Sequence, residues 1–431
     1  MKTKVALLLV GLIGLLLLAG CSSKPEEPAP ATNASKVTLR LFLWTPADEL
    51  AANQELVTQF ESSHPNLHVE LMNQPGHGSA AMQKLMTMTA GGDAPDVVSL
   101  HGAYFVPFAS KGLLEELAPY LEKDSELKEA SFHPGLIELS KYDGKLYSLP
   151  RYSSVYCIFY NKDLFDAAGI DYPKDDWTWD DYLKAAKALT VDTNGDGKPD
   201  QYGAAIDFWG ARLYPWIWAN GGQFFDIAKN RFTLTTPEVV GAIQFLVDLK
   251  LKHKVTPAFA EGEQTEAGDL FPAGNIAMYM TGAWAIQDLK NVSFKWDVVV
   301  FPKQKQSATL LGTENYAISS SSKHKQEAWE LMRFLLSAKS QEFMAEKLDK
   351  EPSLLSVLRG SYLSAPVGYN RKAFVDSLDF GQMAPNIPQY NEVSHYWQEQ
   401  LDSIWIGDVK VKDGLAEAER DMNKLLAEEA P

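Results

Sequence analysis

Tryptophan is the residue type whose placement could do chemistry in this chain. There are 11, and Trp44, Trp209, Trp218 and Trp284, together with Tyr152, fall at expected strand ends and loops rather than in core-facing stripes. An indole face is flat and apolar and matches the C–H face of a pyranose ring. The hydroxyls of such a ring then need carboxylate, amide or guanidinium partners around the rim. Apolar walls with a few placed polar groups are the general form of a small-ligand site. Each of these aromatics also has an ordinary packing role open to it. For Trp216 packing is favoured, because Trp216 and Trp218 straddle Ile217 and cannot all face one cleft.

Catalytic spacing is missing. The sequence has no GxSxG elbow, no HExxH, no P-loop and no dinucleotide fingerprint. His64 and His68 have helical spacing, but Pro65 stands between them and a strand follows at once. One loop has metal-like spacing. Asp192, Asn194, Asp196, Lys198 and Asp200 occupy positions one, three, five, seven and nine of an EF-hand-like loop, with Gly197 at six. Position twelve is Gly203 instead of a bidentate Glu, so a structural calcium ion stands against a polar turn built on Asn-Gly and Asp-Gly. No cofactor is required by any motif.

The elements that must position these residues alternate. Val37–Trp44 reads as a strand, and Thr45-Pro46-Ala47-Asp48 as a helix start with a hydroxyl N-cap. Leu67–Gln74 is a second strand, Ala81–Ala90 a Met-rich helix, and Ala94–His101 a third strand. Such alternation implies a parallel sheet covered by helices. Ligands of these sheets sit beyond the carboxyl ends of the strands, which points at Trp44, Gln74 and His101. The stretch Gly144–Phe165 organises the rest. Pro150 interrupts an extended segment, and the apolar, aromatic run Val155–Tyr160 fits a strand buried on both faces. Further on, Thr178 opens a helix. Ala328, Leu331, Met332 and Leu335 share a helix face, as do Leu415, Ala418, Met422 and Leu425.

The chain starts with what reads as an address. Lys2 and Lys4 precede an apolar run that ends in Leu18-Ala19-Gly20-Cys21, the form of a secretory signal over residues 1–20. Residues 21–36 carry Pro, Ser, Thr and no large aliphatic side chain, and read as a flexible tether. The remainder is long enough for two cores. A formal charge of −16, from 40 basic and 56 acidic residues, with no basic cluster gives nucleic acid no electrostatic footprint.

The motifs APDVV, KGLLEELAPYL, YNKDLFDAAGI with WTWDDYLKAAKALT, the glycine-spaced Phe271–Trp284 and LGTENYAIS resemble the extracellular solute-binding proteins of ABC sugar importers, the maltose-binding-protein-like family. The Leu-Ala-Gly-Cys box resembles that of bacterial lipoproteins, with Cys21 acylated. The resemblance covers nearly all of the mature chain. It implies an α/β, two-lobed periplasmic-binding-protein-like fold with a multi-strand hinge and a ligand cleft between the lobes. The implied lobes are 37–149 plus 318–360 and 150–317 plus 361–431. It places Trp44, His101, Ser154, Trp209, Trp284, Glu314 and Trp397 at binding positions. Gly102 and Ala103 depart from it, standing where maltose binders carry charged and polar groups.

The expected protein is a monomeric, lipid-anchored, extracytoplasmic receptor that gives a sugar or oligosaccharide to a membrane permease. A secreted polysaccharide-processing enzyme and a sensor lipoprotein without a transporter are the alternatives.

Overall fold

A computed structural model describes residues 36–75, 78–257, 267–385 and 387–428. The signal, Cys21 and the tether up to residue 35 lie outside them. The first lobe starts with β1 (Val37–Leu43), α1 (Ala47–Ser63), β2 (Leu67–Asn73), α2 (Gly78–Ala90) and β3 (Val97–His101). β1 pairs in parallel with β2 along its whole length and with β3 at Leu41↔Val97 and Phe42↔Val98. Leu39, Leu41 and Leu43 face α1, while Phe42 faces α2, as the two-residue period of a strand requires.

One expectation about this start fails. Thr45 does not cap α1, which has no side-chain cap bond at its N-terminus. Instead the Asn73 amide brackets Thr45, accepting from its N–H at 3.0 Å and donating to its carbonyl at 2.9 Å. This pins the ends of β1 and β2 together just beneath Trp44.

The chain leaves this lobe along β4 (Leu149–Val155) and enters the second as β5 (Cys157–Asn161). β5 is buried at every residue, with β6 (Met278–Thr281) and β7 (Trp296–Val299) antiparallel on either side. It returns along β8 (Thr309–Ile318), which pairs with β4 from Leu311↔Val155 to Tyr316↔Leu149. The other edge of β8 pairs first with Gly381–Gln382 and then with β3. A third passage follows. Ser153 donates to the Glu351 carbonyl at 3.1 Å and Tyr152 bridges Pro352, after which Val357 belongs to the first core and Leu358 to the second.

The second lobe is an aromatic-rich core around β5. Its helices include α3 (Trp179–Ala188), opened by a true capping box between Thr178 and Asp181, and α4 (Tyr214–Ala219). The tail adds α5 (Tyr390–Ile406) and α6 (Val411–Glu428), with Leu415, Ala418 and Met422 buried and Leu426 rather than Leu425 completing the stripe. Among the described residues no helix is long and apolar enough to cross a membrane.

Candidate functional site

Strand direction sets where a ligand can sit. β1 and β3 end at Leu43 and His101, and β3 meets β8 at His101↔Glu314. In the second lobe β6 ends at Thr281 opposite Cys157, the hinge end of β5. The loop after β6 therefore lies at the hinge, as do the carboxyl ends of β1 and β3, and the two sets of loops border one cleft. Tyr156, between β4 and β5, lies at its base.

On the first-lobe side Trp44 is half-buried and meets His101 edge-on at 5.8 Å. Gly78, at the start of α2, packs on the indole: a Cβ there would lie 3.3 Å from its Cζ3. The Nε1–H of Trp44 is buried without an acceptor among the described residues. Burial of the imidazole pushes His101 down to about 4. The fold holds the neutral ring, so this stabilisation is complete above about pH 6.5, the unfolded value, and is lost as pH falls through the folded one. The melting temperature should fall between pH 6.5 and 4, and His101→Gln should flatten that part of the decline; parallel curves for the two proteins would refute it.

On the second-lobe side two indoles are open to solvent. Trp209 is 53% exposed and Trp284 41%. The Trp284 ring folds back over Gly282, where a Cβ would come within 2.0 Å of its Cζ3, and meets Tyr156 edge-on at 5.4 Å. Beside Tyr156, and next to Trp209 along the chain, is a charged pair the sequence reading did not single out. Arg212 is 3.2 Å from Asp207 and donates to the Met280 carbonyl at 2.7 Å. Its guanidinium covers the rings of Tyr156 and Tyr279, and the Tyr279 hydroxyl donates to Asp207 at 2.8 Å. Asp207 and Arg212 flank Trp209 within one turn, which is the signal that could have found them. Asp288 is pushed above the usual carboxylate range, first by partial burial and then by the charge of Asp48 across the cleft.

Other expected positions fall elsewhere. Trp218, 3% exposed, packs on Tyr214 in the second core, and Trp397, 1% exposed, packs on Phe224; both indoles are enclosed by their own lobe. Tyr152 is 6% exposed with its ring on Arg151, so it offers no face to a cleft. The amide of Gln74 accepts from Lys84 at 2.9 Å and donates to the Pro75 carbonyl. Ser154 is half-buried opposite Gly312 in the hinge ladder. Glu314 is half-buried there as well, bonded to Ser99 and Arg151. Gly102 packs closely on β8: a Cβ there would lie 3.0 Å from the Thr313 carbonyl oxygen, so a larger residue would need β8 to give by a few tenths of an ångström.

The calcium-like loop is bonded to itself. Asp192 accepts from the N–H groups of Gly195 and Gly197, at 2.6 and 2.8 Å. Asp200 accepts from Thr193 and Asn194, and the Thr193 bonds hold its carboxyl below the usual range. Asp196 and Asn194 each accept from a backbone N–H two residues on. Among the described residues no group of three or more His, Cys, Asp or Glu side chains is arranged to hold a metal ion.

Residues 44–342 match the family model described as bacterial extracellular solute-binding protein. An ABC substrate-binding protein from Listeria monocytogenes, solved in complex with cycloalternan, is 30% identical, with a TM-score of 0.83 over 91% of this chain and 99% of that one. The galactooligosaccharide-binding protein of Bacillus subtilis is 25% identical over 94% of this chain and 92% of its own length. An uncharacterized lipoprotein of Streptomyces antibioticus is 29% identical over 78% of this chain and 73% of its own.

Proposed function

The chain belongs to the bacterial extracellular solute-binding proteins, and from that premise we propose that it captures a sugar or oligosaccharide between its lobes and hands it to the permease of an ABC importer. The observation that carries the sugar is the pair of exposed indoles, Trp209 and Trp284, together with the Asp207–Arg212 pair at the hinge. Stacking faces with a planar donor and a carboxylate beside them suit a polyhydroxylated ring. The Listeria and Bacillus proteins, both named for oligosaccharide ligands or bound to one, favour an oligosaccharide.

The test is a thermal-shift screen against maltotriose, galactotriose, mannobiose and cycloalternan. A ligand at a hundred times its dissociation constant adds about 2.7 kcal/mol, so a true ligand gives a plain shift and silence across the panel removes the sugar reading. Lobe closure follows from the three-passage hinge, and small-angle scattering should show a smaller radius of gyration with ligand. A sensor would bind yet leave uptake intact when deleted. An enzyme would release shortened product from the panel.

Anchoring belongs to the same proposal. Cys21 carries lipid at an extracytoplasmic membrane surface, a reading supported by the lipoprotein relative from Streptomyces, and the receptor works as a monomer. Cys21→Ser should release it to the soluble fraction. For the Asp192–Asp200 loop the self-bonded geometry supports a turn that needs no calcium. Melts with excess calcium and with chelator should coincide; a higher melting temperature with calcium would restore the ion.

A further inference from the structure

We propose that Arg151 is a positioning residue for ligand recognition: it clamps one carboxylate oxygen of Glu314 and leaves the other as a fixed acceptor for a sugar hydroxyl. The proposal rests on the reading of the cleft as a sugar site.

The clamp depends on an irregularity in the hinge. Along β8 and β4 the register runs Thr313↔Ser153 and Glu314↔Tyr152, then shifts to Asn315↔Pro150. Arg151 is left with no residue opposite. In a regular ladder Arg151 and Tyr152 would point to opposite faces. An extra residue re-aims its side chain, and here both lie on the face that carries Glu314 and Tyr316. The guanidinium sits 4.5 Å from the Tyr152 ring centre and 5.0 Å from that of Tyr316.

From that place Arg151 reaches in two directions. Its Nη1 donates to Oε1 of Glu314 at 2.9 Å. Its Nη2 donates to Oδ1 of Asn53 at 2.9 Å and lies 2.9 Å from Oε1 of Glu49, whose other oxygen is 2.6 Å from the Lys350 ammonium. Two acids and two bases thus balance, with Arg151 and Glu49 only 3% exposed. A buried pair of this kind is usually plain structure, and replacing it can even stabilise a fold. The asymmetry at Glu314 says more. Ser99 also donates to Oε1, at 2.7 Å, so that oxygen holds two donors. Oε2 has none among the described residues, yet the side chain is still 15% exposed. A carboxylate fixed at one oxygen and open at the other is pre-organised for a single incoming hydroxyl, and pre-organisation lowers the ordering cost of binding. A planar fork is needed to reach Glu314 and α1 together, which an ammonium cannot do.

The experiment is calorimetric titration of the panel sugar with the largest thermal shift, beside a melt of each unliganded variant. The variants are Glu314→Gln, Arg151→Lys, Ser99→Ala, and each of the last two combined with Glu314→Gln. Hydrogen bonds to charged groups are the strong class, so each single change should weaken binding about tenfold. Each double variant should be no weaker than Glu314→Gln alone. Ser99→Ala, which strands no buried charge, keeps the test open should Arg151→Lys fold poorly. Wild-type affinity in Glu314→Gln would overturn the proposal while the sugar reading stood. Losses that multiply in the doubles would overturn it too, since Arg151 and Ser99 would then act on the fold and not through Glu314. A wild-type protein that binds no sugar of the panel would overturn the reading beneath it and this proposal together.

Discussion

Replacing Trp284 with alanine should weaken sugar binding about 30-fold or more while the melting temperature of the unliganded protein barely moves. At 41% exposure the indole gives the fold little, and its free face is open for stacking at the hinge. Truncating such an aromatic anchor costs about 2 kcal/mol or more, and 1.4 kcal/mol is tenfold. Gly282→Ala should reproduce the loss without touching the indole. Gly282 has φ −120°, so alanine meets no backbone strain there. Its methyl would occupy the place of the ring's Cζ3, 2.0 Å away, and the ring must swing off. Trp397→Ala is the contrast: at 1% exposure it should cost about 3–5 kcal/mol of stability. Titration beside a melt separates these cases. Unchanged affinity in both Trp284→Ala and Gly282→Ala would move the ligand away from this loop.

Gly203→Ala should be among the most destabilising single-methyl changes in the protein. A Cβ there would lie 1.9 Å from the carbonyl oxygen of Ala186 and 2.5 Å from its carbonyl carbon and Cα. These are backbone atoms at the end of α3, and they cannot turn aside as a side chain can. Residue 203 is also tied down on both sides, through its own N–H to Thr190 at 3.0 Å, through Tyr202 to the Asn275 carbonyl at 2.9 Å and through Ala204 to the Val255 carbonyl at 3.1 Å. Overpacking usually costs about 1–3 kcal/mol, and a clash with fixed backbone belongs at or beyond the top of that range. Denaturant melts followed by second-lobe tryptophan fluorescence should show a lowered midpoint; a midpoint within error of wild type would refute the contact. The same crowding bears on calcium. Position twelve of the loop, where an EF-hand places glutamate, has no room for any side chain at all.

Local pattern made much of the scaffold legible. The run Val155–Tyr160 announced a strand buried on both faces, Thr178 announced a helix start, and Ala328, Leu331, Met332 and Leu335 announced a buried stripe; each depends on neighbours a few residues away. The two-lobed fold was implied by motif resemblance. The site was only half legible. Trp209 and Trp284 differ from Trp218 and Trp397 in no local way, and their exposure is decided by which distant elements pack over them. Arg151 was invisible for the same reason, since its bulge exists only against a strand some 160 residues later. Thr45 misled because Asn73, on the neighbouring strand, holds its backbone N–H and carbonyl, and α1 starts one residue later, from Pro46.

β8 is paired on both edges and belongs to both lobes, and this has a consequence for how the molecule moves. Its amide protons, buried and bonded within the ladder, should be among the slowest in the protein to exchange with deuterated solvent, since protection follows burial and hydrogen bonding. A flexible joint would show the reverse, with rapid exchange over 311–316. Slow exchange there, in the presence and absence of sugar, would mean that the lobes turn by twisting an intact ribbon. The pivot would then behave as a torsion spring, and the rest angle between the lobes would be set by the twist of β8 itself.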